Sequence, residues 1–232
     1  MTFGERAIAF NEKLHYTGGK LPAGIRVMNP FTEFPDTLKI STTFFNRFYN
    51  DNHPRHLILG INPSRLGAGL TGIPFTDPKR LISECGIEYH GRMAHEPSSS
   101  FIYEMIHAFG GVEAFYRAFY INSPCPLGFT SINKLGKEVN YNYYDNSVLI
   151  KATMPFMLES LNKLIGLGNS RTVGVVLGMG KNFAFLEKLN ASHHFFDRLV
   201  PLEHPRFIMQ YKSKQKEGYI RKYLEVLAEV SR

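Results

Sequence analysis

The chain has 232 residues, 44% of them hydrophobic, with a net charge of +7 and a pI near 9.3. This length and composition can bury one large core, so we expect a single domain over 1–232. We also expect a monomer. Two cysteines and no Cys/His pairs at ligand spacing argue against a disulfide framework, an iron–sulfur cluster or a zinc site, so we predict no metal and no cofactor. No signal-peptide core or apolar run of ~20 residues is present, which predicts a cytoplasmic protein that does not contact the membrane.

Short apolar runs that end in loop residues predict buried parallel strands at 56–61 and 172–178, with weaker candidates at 118–123 and 197–202. Helical patterns lie between and after them, at 98–109, 112–119, 145–166, 180–190 and 213–230. Residues 1–54 are predicted to be a helical part that packs before the first strand, and 55–232 the core. Strands that alternate with helices indicate an open, mostly parallel α/β sheet.

The positive charge is concentrated near the end of the chain. From His204 onward seven Lys/Arg residues stand against three Glu. A basic cluster suits a polyanionic partner such as nucleic acid, although a charge run is more often a solvated helix face. The aromatic run 141–146 (YNYYDN) leaves two readings open, because it can stack bases or pack as a surface loop.

Three predicted strands end in conspicuous polar residues, which are Asn62, Asn122 and His204. Ligands of open α/β sheets bind outside the carboxyl ends of the strands, so we expect these side chains to converge in one crevice. The stretch 59–78 (LGINPSRLGAGLTGIPFTDP) adds glycines that allow close backbone approach and prolines that stiffen the loop. GMGK at 178–181 is not a phosphate loop, because the first glycine is missing and Asn182 stands where Ser/Thr is required.

The ordered motifs GINPS…TGIPFT, INSPCPL and EHPRF resemble those of the uracil-DNA glycosylase superfamily, most closely a divergent, bacterial branch of the single-strand-selective monofunctional (SMUG) family. EPSSSFIYEMI resembles a further family segment, so the resemblance spans about 55–230. The chain departs from the family pattern in three places. Ser64 and Arg65 stand where Gly and Pro are usual, one extra residue lies between Asn122 and Cys-Pro-Leu, and the segment after His204-Pro205 does not match the usual continuation.

The resemblance implies a three-layer α/β/α fold with a central four-stranded sheet and a monofunctional glycosylase that removes uracil, with oxidised uracils as further candidates, from single- or double-stranded DNA. Asn62 would hold the attacking water and His204 would donate a hydrogen bond to the leaving uracil. Substrate-binding residues would be Gly60, Ile61, Pro63, Ser64, Phe75 and Asn122, with Phe75 stacking on the base and Asn122 reading its edge. DNA contacts would come from Arg65, Arg206, Phe207, Lys212 and Lys214, with the segment after His204 entering the duplex.

Two alternatives remain. A mismatch-directed uracil/thymine glycosylase also carries GINP, but its second motif lacks the histidine, so His204 favours the first interpretation. A non-catalytic nucleic-acid-binding module of the same fold would tolerate the loss of Asn62 or His204, and both are present in the expected order.

Overall fold

The structure is a computed structural model that describes residues 1–34 and 36–231, and it contains a parallel and an antiparallel sheet. Its strands are β1 (Ile25–Met28), β2 (His56–Leu59), β3 (Phe119–Asn122), β4 (Gly128–Ile132), β5 (Glu138–Tyr141), β6 (Val173–Leu177) and β7 (Arg198–Leu202). The parallel sheet has four strands in the order β3-β2-β6-β7, and the antiparallel sheet has the order β1-β4-β5. The predicted four-stranded parallel sheet is therefore confirmed.

The helices are α1 (Phe3–Glu12), α2 (Pro30–Glu33), α3 (Thr37–Phe48), α4 (Ala68–Thr71), α5 (Pro78–Ser83), α6 (Pro97–Phe109), α7 (Val112–Ala118), α8 (Ser147–Gly166), α9 (Lys181–His193), α10 (Pro205–Tyr211) and α11 (Lys216–Val230). A short 3-10 helix, Ser213–Gln215, precedes α11. The first three residues of the predicted C-terminal helix therefore form this 3-10 helix and not an α-helix. Within 1–34 and 36–231, no helix has the length and hydrophobicity needed to cross a membrane.

Helices cover both faces of the parallel sheet. Phe3 of α1 packs against Tyr120 with ring centroids 5.1 Å apart, while Phe109 of α6 packs against Phe119 at 5.5 Å. Phe119 and Tyr120 are consecutive residues of β3, so their side chains point to opposite faces. β6 is buried along its whole length, as expected of a parallel strand between two helical layers. The result is the predicted three-layer α/β/α arrangement.

The antiparallel sheet was not predicted. Residues 25–28, which fall in the part predicted to be helical, form β1 and pair with β4, with Met28 opposite Gly128. The prediction is wrong there because four residues, with Arg26 exposed and Met28 buried, give too short a pattern to separate strand from helix. In the aromatic run, Tyr141 ends β5 and Tyr143 is fully buried in the core, so neither reading of that run holds for Tyr143.

Candidate active site

One cavity opens beyond the carboxyl ends of β2 and β3, beside His204 in the segment after β7. All eight residues predicted to catalyse or to bind substrate line it: Gly60, Ile61, Asn62, Pro63, Ser64, Phe75, Asn122 and His204. Four further lining residues were not predicted, and these are Ala68, Pro74, Glu96 and Ser123. A larger cavity of about 330 Å³ lies between α1 and α8, away from the strand ends, and brings none of the predicted residues together.

Asn62 is held by backbone groups at the end of β5 and just after it. Its Oδ1 accepts from the N–H of Tyr143 at 3.2 Å, and its Nδ2 donates to the carbonyl of Tyr141 at 3.2 Å. The Tyr143 hydroxyl in turn donates to Oδ1 of the buried Asn182 at 2.6 Å, and Asn182 Nδ2 donates to the carbonyl of Gly60 at 3.2 Å. The strand end and the loop after β5 therefore fix the orientation of the Asn62 amide together. Asn182 was not predicted to support the site.

His204 is the N-cap of α10, and its Nδ1 accepts from the N–H of Arg206 at 3.1 Å. This bond requires an unprotonated Nδ1, which leaves Nε2 as the N–H donor of a neutral ring. Burial, with a smaller contribution from the charge of Arg206, lowers the pKa of His204 to about 4. At neutral pH the cavity therefore contains an uncharged hydrogen-bond donor.

Phe75 has a left-handed backbone with φ of 54°, an unfavourable conformation for a residue with a side chain. Its ring lies 5.6 Å from the His204 ring, centroid to centroid. A Cβ atom on Gly60 would come within 3.2 Å of that ring, so Gly60 makes room for it. Thr71 secures the loop, because its hydroxyl donates to the carbonyl of Thr76 at 2.6 Å. The phenyl group is thus fixed as one wall of the cavity.

Asn122 and Ser123 lie side by side at the end of β3. Asn122 Nδ2 donates to the Tyr120 hydroxyl at 2.8 Å, and its Oδ1 accepts from the Ser123 N–H at 2.8 Å. An amide can make two bonds at each end, so each end keeps capacity for one more. A feature of the sequence could have pointed to Ser123. Because this chain has one extra residue between Asn122 and Cys-Pro-Leu, Ser123 stands at the distance from Cys-Pro-Leu at which the family usually has its Asn.

The residues predicted to contact DNA differ in accessibility. Arg206, Phe207 and Lys214 are exposed, whereas Lys212 is half-buried. The Phe207 ring is tilted against the Tyr211 ring, with the centroids 5.6 Å apart. Two other basic residues of the C-terminal cluster are already paired, Lys216 with Glu104 and Lys222 with Glu203. Arg232, the last of that cluster, lies outside the described residues.

Arg65 differs from the other predicted DNA contacts. Its side chain is 27% exposed, and its guanidinium lies 3.9 Å from the Glu138 carboxylate of β5. Its backbone N–H donates to Oδ1 of Asn140 at 2.9 Å. These contacts tie the loop after β2 to the antiparallel sheet. Across 1–34 and 36–231, no group of three or more His, Cys, Asp or Glu side chains is arranged to hold a metal ion.

Comparisons with known proteins agree with this geometry. A family model described as the Uracil DNA glycosylase superfamily matches residues 47–228, which include every predicted site residue. The crystal structure of wild-type SMUG2 from Pedobacter heparinus matches with a TM-score of 0.98 and 59% sequence identity, over 99% of this chain and 98% of that chain. A search of curated proteins found no match.

Proposed function

The chain belongs to the uracil-DNA glycosylase superfamily, and on that premise we propose that it hydrolyses the N-glycosidic bond of uracil in DNA and leaves an abasic site. Its similarity to the Pedobacter SMUG2 structure confirms the predicted resemblance to the SMUG family. The observation that carries the proposal is the meeting of Asn62, Phe75 and His204 around one cavity at the strand ends.

The first step is extrusion of the nucleotide, because a base inside a duplex cannot reach a cavity of this kind. The exposed rings of Phe207 and Tyr211 on α10 follow His204 directly and could fill the space that the base leaves. Phe75 would stack on the extruded uracil, a contact of roughly 1–3 kcal/mol. Lys212 and Lys214 would contact the phosphates nearby.

The second step is attack by water at C1′. Asn62 Oδ1 keeps one free lone pair beyond its bond from Tyr143, and Nδ2 reaches the Pro63 carbonyl only at a long 3.5 Å in addition to its bond to Tyr141. A water molecule that replaces this long contact would be held by both ends of the amide. An amide is too weakly basic to deprotonate that water. Much of the rate enhancement must therefore come from stabilising the uracil as it leaves with negative charge.

His204 supplies that stabilisation. With Nδ1 engaged by the Arg206 N–H, the neutral ring presents Nε2–H as a donor to the O2 atom of uracil. A preorganised donor aimed at developing charge is worth ~10²–10³ in rate. Asn122 would read the N3–H and O4 edge, which cytosine presents with donor and acceptor exchanged. We also propose that oxidised uracils are substrates. Removal of uracil would be the first step of base excision repair.

A direct assay tests the proposal. We expect the protein to convert a labelled oligonucleotide with one uracil into a product that hot alkali cleaves at that position, on single strands, on duplexes or on both. Matched oligonucleotides with thymine or cytosine at that position serve as controls. Strong binding to uracil-containing DNA without any alkali-labile product would show a binding module instead of an enzyme.

A further inference from the structure

Glu96 lines the cavity beside Ser64 and His204, although it has no role in the steps above. It occupies the N-cap position of α6, yet its carboxylate makes no capping hydrogen bond there. Its backbone N–H donates to Oδ2 of the buried Asp77 at 2.7 Å, which anchors the main chain. The side chain is therefore free of the usual capping task and lies in the cavity.

The loop after β2 is shaped around this carboxylate. A methyl group on Gly67 would overlap Oε2 of Glu96, so only glycine leaves the space that the carboxylate occupies. The N–H of Gly67 donates to Oγ of Ser64 at 3.2 Å, and the Ser64 hydroxyl lies close enough to the Glu96 carboxylate to act on its pKa. Because Oγ accepts from Gly67, its own hydrogen is available for the carboxylate. Ser64, where the family usually has Gly, is thus placed to donate to Glu96.

Charged and titratable groups from several elements surround Glu96. Burial raises its pKa and so does the charge of Asp77, whereas the nearby Ser64 hydroxyl and the charge of Arg206 act in the opposite direction. The other groups are His204 in the same cavity, and His95 and Arg80, which approach Asp77. In the described part of the chain, no basic side chain comes within 4.0 Å of the Glu96 carboxylate. A partly buried carboxylate without an ion-pair partner is a stronger base than an exposed one.

We propose that Glu96 is the general base that takes a proton from the water held by Asn62. In this step the water oxygen bonds to C1′ as the bond from C1′ to N1 breaks, and the bonding electrons leave with uracil. The water proton passes to the Glu96 carboxylate, and the uracil anion remains hydrogen-bonded to His204. This inference rests on the proposed function. It supplies the basicity that an asparagine amide lacks.

Glu96→Gln tests the role, because it keeps the size and hydrogen-bonding capacity of the side chain but removes its basicity. We expect the single-turnover excision rate to fall about 10²-fold or more, the usual range for a general base. Melting temperature and affinity for an oligonucleotide with a non-cleavable 2′-fluoro-deoxyuridine should stay near wild type. Glu113→Gln, an exposed position on α7, is the control and should keep the wild-type rate.

The pH profile separates a base from a structural carboxylate. Wild type should lose rate on acidification as Glu96 is protonated, and the residual rate of Glu96→Gln should hold to lower pH, until His204 titrates near its pKa of about 4. Gly67→Ala, which displaces the carboxylate but keeps its charge, should also be slow. A Glu96→Gln rate within threefold of wild type, or a reduced rate with an unchanged acid limb, would overturn the inference. A wild-type chain that excises no uracil would instead overturn the proposed function, and this inference with it.

Discussion

The backbone N–H of Tyr143 donates a 3.2 Å hydrogen bond to Oδ1 of Asn62, although the two residues are 81 positions apart. The carbonyl of Tyr141 accepts from the other end of the same amide. Rotating the amide end for end would set donor against donor and acceptor against acceptor. The antiparallel sheet therefore fixes which end of Asn62 faces the cavity, since Tyr141 is the last residue of β5.

This arrangement separates the role of the Asn62 amide from that of its support. Asn62→Ala should slow single-turnover excision about 10²-fold or more, because the water is no longer positioned. Tyr143→Phe removes the hydroxyl bond to Asn182 but keeps the backbone N–H that Asn62 uses. It should cost about 1 kcal/mol in urea unfolding and leave the rate within threefold of wild type. An equally slow Tyr143→Phe enzyme would show that the side chain, not the backbone, positions Asn62.

The sequence was sufficient for the parallel sheet because its strands are short apolar runs that end in loop residues. β6, for example, is Val-Gly-Val-Val-Leu and buried throughout. It was not sufficient for β5, whose Glu-Val-Asn-Tyr residues are half-exposed or exposed and carry no clear alternation. β5 forms a local hairpin with β4, with Ile132 opposite Glu138, and its residues lack a strand pattern even though its partner lies close in the chain. The pairing of β1 with β4 is non-local, and such pairing leaves no local pattern.

The same limit applies to the site. Asn62 and His204 stand in recognisable motifs at strand ends, and the structure places both at the cavity. Their supports are backbone groups, such as the Tyr143 N–H, or residues such as Asn182 that sit in a different motif. Backbone groups are present at every residue and give no sequence signal. Glu96 lies in a segment with a family resemblance, but only the three-dimensional structure brings it to Ser64.

Phe207 should matter for duplex DNA more than for single strands. Its side chain is 42% exposed on α10, which is unusual for so apolar a ring and suits insertion between base pairs. Phe207→Ala should slow single-turnover excision about tenfold on duplex DNA and much less on a single strand, where no stack has to be opened. Ile82→Ala, at a comparably exposed position on α5, is the control. Equal losses on both substrates would assign Phe207 to another task.

Lys212 and Lys214 should set the salt dependence of DNA binding. Each phosphate contact contributes about 0.9 to the slope of log K against log salt on duplex DNA. Replacing both residues with Ala should therefore lower the slope by up to about 1.8 and weaken binding to all sequences alike. Lys216→Ala is the comparison, because its ammonium group already pairs with Glu104. If only Lys216→Ala changes the slope, the DNA follows a different path over the surface.

Acidification should destabilise the fold through His204. Its pKa is lowered from 6.5 to about 4, so between these values the unfolded chain binds more protons than the folded one. The contribution of His204 is thus fully present above pH 6.5 and decreases as the pH falls towards 4. Urea unfolding at pH 7.5 and pH 5 should show a smaller loss of stability in His204→Asn than in wild type. Equal losses in the two proteins would show that His204 does not titrate in this window.

Two substitutions of His204 separate its hydrogen bond to the substrate from its cap on α10. His204→Asn can still accept from the Arg206 N–H through Oδ1, because that oxygen occupies a position similar to Nδ1, but it cannot extend a donor to uracil. His204→Ala loses both contacts, and loss of an N-cap typically costs about 1 kcal/mol. We therefore expect both variants to lose on the order of 10²-fold in single-turnover rate, and only His204→Ala to unfold at lower urea.

The double variant Asn62→Ala/His204→Asn tests whether the two residues act on one transition state. Attack by water and departure of uracil are parts of the same bond exchange at C1′. Once Asn62 or His204 is replaced, the remaining residue therefore contributes less to stabilising the transition state. The combined loss should be smaller than the product of the single losses. Single-turnover rates of wild type, both single variants and the double variant complete the cycle, and the Asn162→Ala change on α8 serves as the surface control.

A His204→Asn rate within a few-fold of wild type would reduce this residue to a helix cap. The charge on the departing base would then have to be stabilised by another donor of the cavity, and the Asn122 amide at the end of β3 keeps one N–H beyond its bond to the Tyr120 hydroxyl.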